Sequence, residues 1–189
     1  MTKSDDPQPL SNGPASPDDF YRALGYALVA FTEIDAALFA LFYTLTMASM
    51  PDIEHARKIF TQTWNFGERL KIVARAVAEH LADPALRAEW EAMRTIMESL
   101  KDQRNQLAHA STAESFAIDK KLGLTLVPVL HLPGESRPQR TDRLDTQGII
   151  GLAIEFEDMA DRIGIFLRRV APEHAATRTR GGGRTRDRK

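Results

Sequence analysis

The sequence predicts an all-α fold, an antiparallel helical bundle of four to five helices with a small β-hairpin insertion before the last helix. Three observations predict it. Apolar residues recur at alternating steps of three and four along most of the chain. A capping residue followed by proline stands at the head of two of these stretches. One short segment near the middle instead alternates apolar and small or polar residues, the period of a strand.

Ser16-Pro17-Asp18-Asp19 opens the first helix with a capping hydroxyl, a proline whose missing N–H costs nothing there, and acids suited to the positive end of the dipole. Behind it, Phe20, Leu24, Ala27, Phe31, Ile34, Leu38, Leu41 and Leu45 trace a single seam, which ends before Pro51. A second helical region runs from near Asp52 to Leu81 and turns Ile59, Phe60, Leu70, Val73 and Val77 inward, with a break offered at Asn65-Phe66-Gly67. Asp83-Pro84 starts a third helix that continues to about Ala110. Between Ser115 and Leu132 the pattern changes, and Leu122-Gly-Leu-Thr-Leu predicts a short hairpin followed by a loop from Pro133 to Arg143. The last helix, from about Asp145 to Val170, buries Ile149, Ala153, Phe156, Met159, Ile163, Phe166 and Val170, and Pro172 is expected to stop it. The resulting division is a disordered tail over residues 1–16, one helical domain over 17–171 carrying the 114–143 insertion, and a basic disordered tail over 172–189.

A chain of 189 residues, 43% hydrophobic, suits one domain with tails. It contains no cysteine, so disulfides, thiolate zinc sites, iron–sulfur clusters and cysteine nucleophiles are excluded, and a cytoplasmic setting is expected. The formal charge of −1 hides an asymmetry. Thr177 to Lys189 holds Arg178, Arg180, Arg184, Arg186, Arg188 and Lys189 against one acid, Asp187, a net +5 that leaves −6 on the other 176 residues. Such a segment draws in phosphate backbones by counterion release, or it only keeps the chain soluble. The amino end lacks the apolar run of a secretory signal. The longest uncharged stretch of the helical body, Ala36 to Pro51, falls short of the roughly 20 apolar residues a membrane span needs, so no membrane partner is expected.

The five histidines (His55, His80, His109, His131 and His174) show no metal-ligand spacing, so neither a metal nor a cofactor is expected. Gly181 to Gly183 lacks the features of a phosphate loop, and Glu89/Glu91 and Glu155/Glu157 are two apart and face different ways. One segment is different. On the third helix the seam Met93, Met97, Leu100 continues to Arg104 and then Leu107, so a guanidinium occupies a place where an apolar side chain is expected. That cation must meet a carboxylate, a phosphate or a partner chain. Asn105 and His109 are four apart and neighbours on the helix surface, so the Asn amide can bond one ring nitrogen and fix the tautomer of the other. Arginine and histidine together suit phosphodiester chemistry, the imidazole taking the proton of a ribose 2′-hydroxyl and the guanidinium bracing the charge on phosphorus. Each chain offers one such histidine, and a symmetric dimer would supply two at one cleft.

Arg104-Asn105 followed by His109, with four residues between Arg and His at the end of a long helix, resembles the HEPN superfamily. The resemblance extends to the first helix with an internal acid (Glu33 or Asp35), to Trp64 in the second helical region and to the "RNQLAHA" run, and spans roughly Asp18 to Ala110 plus the last helix. It implies a metal-independent endoribonuclease acting as a homodimer on RNA, in a toxin–antitoxin or phage-defence role in which an antitoxin protein is a possible partner. Carried over, Arg104 and His109 would be catalytic and Asn105 the polar residue beside them. Glu33, Asp35, Arg178, Arg180, Arg184 and Arg186 are weaker candidates for contact with substrate. Some members of the family bind without cutting, so a non-catalytic nucleic-acid-binding or regulatory dimer is the alternative. The 114–143 insertion departs from the family's bare bundle and leaves substrate choice open.

Overall fold

The computed structural model describes residues 16–63, 65–117, 120–128 and 144–181. Five helices make up its body: α1 (Pro17–Thr46), α2 (Ile53–Gln62), α3 (Phe66–His80), α4 (Pro84–His109) and α5 (Thr146–Gly181). Local chemistry sets their starts. The Ser16 hydroxyl accepts from the Asp19 N–H at 3.2 Å while the Asp19 carboxylate accepts from the Ser16 N–H, a reciprocal box that satisfies two otherwise orphaned donors. Asp52, Asn65, Asp83 and Asp145 each accept a backbone N–H from the first turn of α2, α3, α4 and α5. The break expected around Asn65 is the α2–α3 junction, where Thr63 and Asn65 adopt extended backbone.

α1 is the hub. It packs most extensively along α5 and also touches α2, α3 and α4. Its seam from Phe20 to Leu45 meets Phe60, Leu70, Val73, Trp90, Met93, Met97, Phe156, Ile163 and Phe166 in one apolar core. Each such side chain removed from water contributes about 1.5–3 kcal/mol, so the seam residues dominate the stability of this helical body. α1 is also long and apolar enough, by length and composition alone, to cross a bilayer. Here its apolar side is the inner face of the core.

After α4 the chain passes without a connecting residue into β1 (Ala110–Ala117), which pairs antiparallel with β2 (Lys120–Pro128) in a register that aligns Ala110 with Pro128 and shifts at Ser115/Phe116. The loop expected from Pro133 to Arg143 lies outside the described residues. α5 departs from the sequence reading: it does not stop at Pro172 but continues to Gly181, so the boundary expected between residues 171 and 172 falls inside a helix. Proline removes one N–H and crowds the carbonyl four residues back, at a cost of about 3 kcal/mol. The following Glu173, Ala175, Ala176, Arg178 and Arg180 favour helix and offset part of that cost. Arg184 and Arg186 lie outside the described residues.

Candidate functional site

A cleft of about 590 Å³ opens where three elements converge. α1 contributes Leu28, Phe31, Thr32 and Asp35, the start of α3 contributes Asn65, Phe66 and Arg69, and the end of α4 contributes Lys101, Arg104, Asn105 and Ala108. Helical spacing explains the selection. Leu28, Phe31, Thr32 and Asp35 are three or four apart and fall on one side of α1, and Lys101, Arg104, Asn105 and Ala108 do the same on α4.

Arg104, which interrupts the apolar seam of α4, is half-buried, and its guanidinium lies over the Phe31 ring, 5.7 Å from the centroid. It donates to the Asn105 side-chain oxygen at 3.3 Å. No carboxylate comes within ion-pair distance of it among the described residues, and its electrostatic partner is Asp35 across the cleft. The half-buried guanidinium thus rests on an aromatic face, and Asp35 acts on it only through space. Asp35 is instead paired directly with Arg69 at 2.6 Å, with both side chains mostly buried. Arg69 also donates to the Thr63 carbonyl at 2.8 Å and covers the Phe60 ring at 5.7 Å. Burial raises the Asp35 carboxyl above its ordinary value, and the attraction of Arg69, its hydrogen bond and the field of Arg104 oppose the rise without cancelling it. One Asp35 oxygen, Oδ1, is buried without a hydrogen-bond partner, which is why desolvation prevails.

The structure separates the other candidates. Glu33 is exposed on the outer face of α1, away from this lining, so of the two acids on that helix Asp35 belongs to the cleft. His109, the last residue of α4, is exposed and does not contribute to the described lining within one chain. Among the described residues the expected Asn105–His109 hydrogen bond is absent, and the Asn105 oxygen accepts from Arg104 instead. Arg178 and Arg180 lie on the last turns of α5, and Trp64 falls outside the described residues. Among the described residues no group of His, Asp and Glu is arranged to hold a metal ion.

Sequence reasoning overlooked Arg69 and Lys101. Arg69 carried the same signal as Arg104: Phe66, Arg69, Val73 and Ala76 recur at steps of three, four and three, so a cation again sits on an inward line. Lys101 pairs with its neighbour Asp102 at 3.1 Å at the cleft edge, and nothing in the local pattern distinguishes it from an ordinary surface lysine. Arg69 is paired with Asp35 and Lys101 with Asp102, so Arg104 is the cleft's cation without an ion pair among the described residues, set beside the amides of Asn65 and Asn105. Such an arrangement holds a phosphate or another oxyanion by charge-assisted hydrogen bonds. In comparisons with known proteins no family model matches this chain, and no curated protein or solved structure is similar to it.

Proposed function

We propose that this chain is a metal-independent endoribonuclease of HEPN type, a cytoplasmic homodimer that cuts RNA by attack of a ribose 2′-hydroxyl. The observation that carries the reading is the placement of Arg104 and Asn105 in one cleft, with no carboxylate paired directly to that arginine among the described residues. In the proposed step His109 accepts the 2′-hydroxyl proton, the freed oxygen attacks phosphorus, and the 5′-oxygen of the next nucleotide departs with a proton. Arg104 stabilises the charge that grows on the phosphorane oxygens. The products are a 2′,3′-cyclic phosphate and a 5′-hydroxyl. His109 lies outside the cleft of its own chain, so the base comes to the phosphate from a second subunit. The helices are read as an antiparallel bundle, with the segment over residues 114–143 as a hairpin insertion at its active end. A toxin–antitoxin or phage-defence role follows from the same family resemblance and makes an antitoxin protein the natural regulator.

The exposed position of His109 also favours a second reading, in which the dimer grips RNA without cutting it. The two are separated by incubating the full chain with single-stranded RNA in EDTA. The nuclease reading expects cleavage to cyclic-phosphate ends, with loss of about 10²–10⁴-fold in rate for His109→Ala and Arg104→Ala. Intact RNA bound more weakly by Arg104→Ala, and equally well by His109→Ala, establishes the binding reading in its place.

A further inference from the structure

The cleft offers an aromatic surface as well as a cation. Phe66, the first residue of α3, is half-buried and lines the cleft, its ring 4.9 Å from that of Phe31 and tilted 53° to it. Phe31 is 4% exposed and belongs to the core, so it backs Phe66 from the inside while the rest of the Phe66 ring is open to the cavity. The Arg104 guanidinium lies over the same Phe31 ring at 5.7 Å. Cation and open ring therefore flank one side chain. That spacing suits the phosphate and the base of a single nucleotide, which sit at two ends of one sugar.

The polar groups around this ring are committed in one sense. The Asn65 oxygen accepts from the Gly67 N–H at 2.8 Å and the Asn105 oxygen accepts from Arg104 at 3.3 Å, so each amide keeps its NH2 group for a ligand. The Thr32 hydroxyl donates to the Val29 carbonyl, and Asp35 accepts from Arg69. A cation, amide donors and an aromatic surface together complement a molecule with an anionic oxygen at one end and a flat, acceptor-bearing ring at the other.

We propose that Asn65 and Phe66 form a base subsite beside Arg104, in which one unpaired base of a single strand stacks on the Phe66 ring and accepts from the Asn65 amide while its phosphate meets Arg104. The proposal rests on the reading of this cleft as a nucleic-acid site and adds how that site tells a single strand from a duplex. Every base has a π-face and acceptors on its edge, so the subsite is tolerant of sequence. A base inside a duplex is already paired and stacked, and reaches Phe66 only at the cost of being flipped out.

The test compares two labelled probes of equal length and phosphate count by fluorescence anisotropy on the full chain. One is a 2′-O-methyl oligouridine, which lacks the nucleophile for cleavage, and the other is a chain of tetrahydrofuran abasic units. The unmodified protein should bind the base-bearing probe about tenfold or more tighter. Annealing that probe to its complement should remove the advantage. Phe66→Leu keeps an apolar contact with Phe31 but loses the stacking surface, and Asn65→Ser keeps a capping oxygen for Gly67 but loses the amide donor. Each should reduce the preference for bases while leaving affinity for the abasic probe unchanged, and Phe66→Tyr should retain it. Equal affinity of the unmodified chain for the two probes, or a preference that survives both Phe66→Leu and Asn65→Ser, overturns the proposal. Cleavage of ordinary RNA by the unmodified chain is followed separately. A base preference with uncut RNA keeps the subsite and removes the nuclease, whereas cleavage without a base preference does the reverse.

Discussion

Asp35 is the residue at which burial and pairing compete most directly. Its carboxylate is 2.6 Å from Arg69, yet Oδ1 is buried with no donor, and the balance leaves the carboxyl raised. A raised folded-state value means that the folded chain holds this proton more tightly than the unfolded chain, so the group's contribution is greatest in acid and is lost as pH rises through the raised value. Asp35→Asn removes that titration. The stability of the unmodified chain relative to Asp35→Asn should therefore be higher near pH 4 than at pH 7, measured as the difference in urea midpoints. A difference that grows with pH would show instead that the Arg69 pair outweighs desolvation. The cleft was partly legible at this scale. Arg104 was visible because it interrupts an apolar line, and Arg69 interrupts another in the same way. Five helical steps set His109 roughly 140° around α4 and about 7.5 Å along it from Arg104, so the two side chains leave the helix in different directions. Of the two acids on α1, helical spacing sets Asp35 beside the seam residues Phe31 and Leu38 and Glu33 on the outer side, whereas the pairing of Asp35 with Arg69 depends on the tertiary placement of α3 and was not legible.

Among the elements, α1 depends most on its first turn. The Ser16–Asp19 box satisfies two donors at the start of the helix that every other helix touches. Ser16→Ala should cost about 1 kcal/mol, which for a domain of this size lowers Tm by roughly 2–4 °C in a circular-dichroism melt. An unchanged Tm would mean that tertiary packing alone holds the first turn. The starts of α1 and α4 could be read from Ser16-Pro17 and Asp83-Pro84 because capping and proline chemistry are local. The end of α5 could not. Proline at position 172 is a strong local stop, and the helix formers after it carry the chain on to Gly181. At the far end of α4, His109 and Ala110 are adjacent residues of a helix and a strand, so the orientation of β1 constrains the last turn of α4.

At the scale of the whole molecule the charges are divided between a body at −6 and a carboxy-terminal segment at +5. The cleft holds one cation, Arg104, without an ion pair among the described residues, beside the Arg69–Asp35 and Lys101–Asp102 pairs. If the segment and the cleft hold the same strand, removing residues 177–189 should weaken binding of a single-stranded RNA. It should also flatten the dependence of log K on log salt by about 0.7 for each phosphate the shortened chain no longer neutralises. Filter binding at several salt concentrations reads this directly, and identical slopes would confine the segment to solubility. The all-helical body was legible because the buried residues keep a helical period over the whole described core. The choice of α1 as the hub was not, since several helices show comparable apolar stripes and only packing ranks them.

Phe31 belongs to two structures at once. Its ring is 5.1 Å from Phe156 inside the core and 4.9 Å from Phe66 at the cleft, with the Arg104 guanidinium above it. The cavity wall and the hydrophobic interior therefore share a single side chain, and the two cannot loosen independently. On the proposed function, an oligonucleotide seated against Arg104 rests on that same ring, and the chain should resist heat more strongly when occupied than when empty, by RT ln(1 + [L]/Kd).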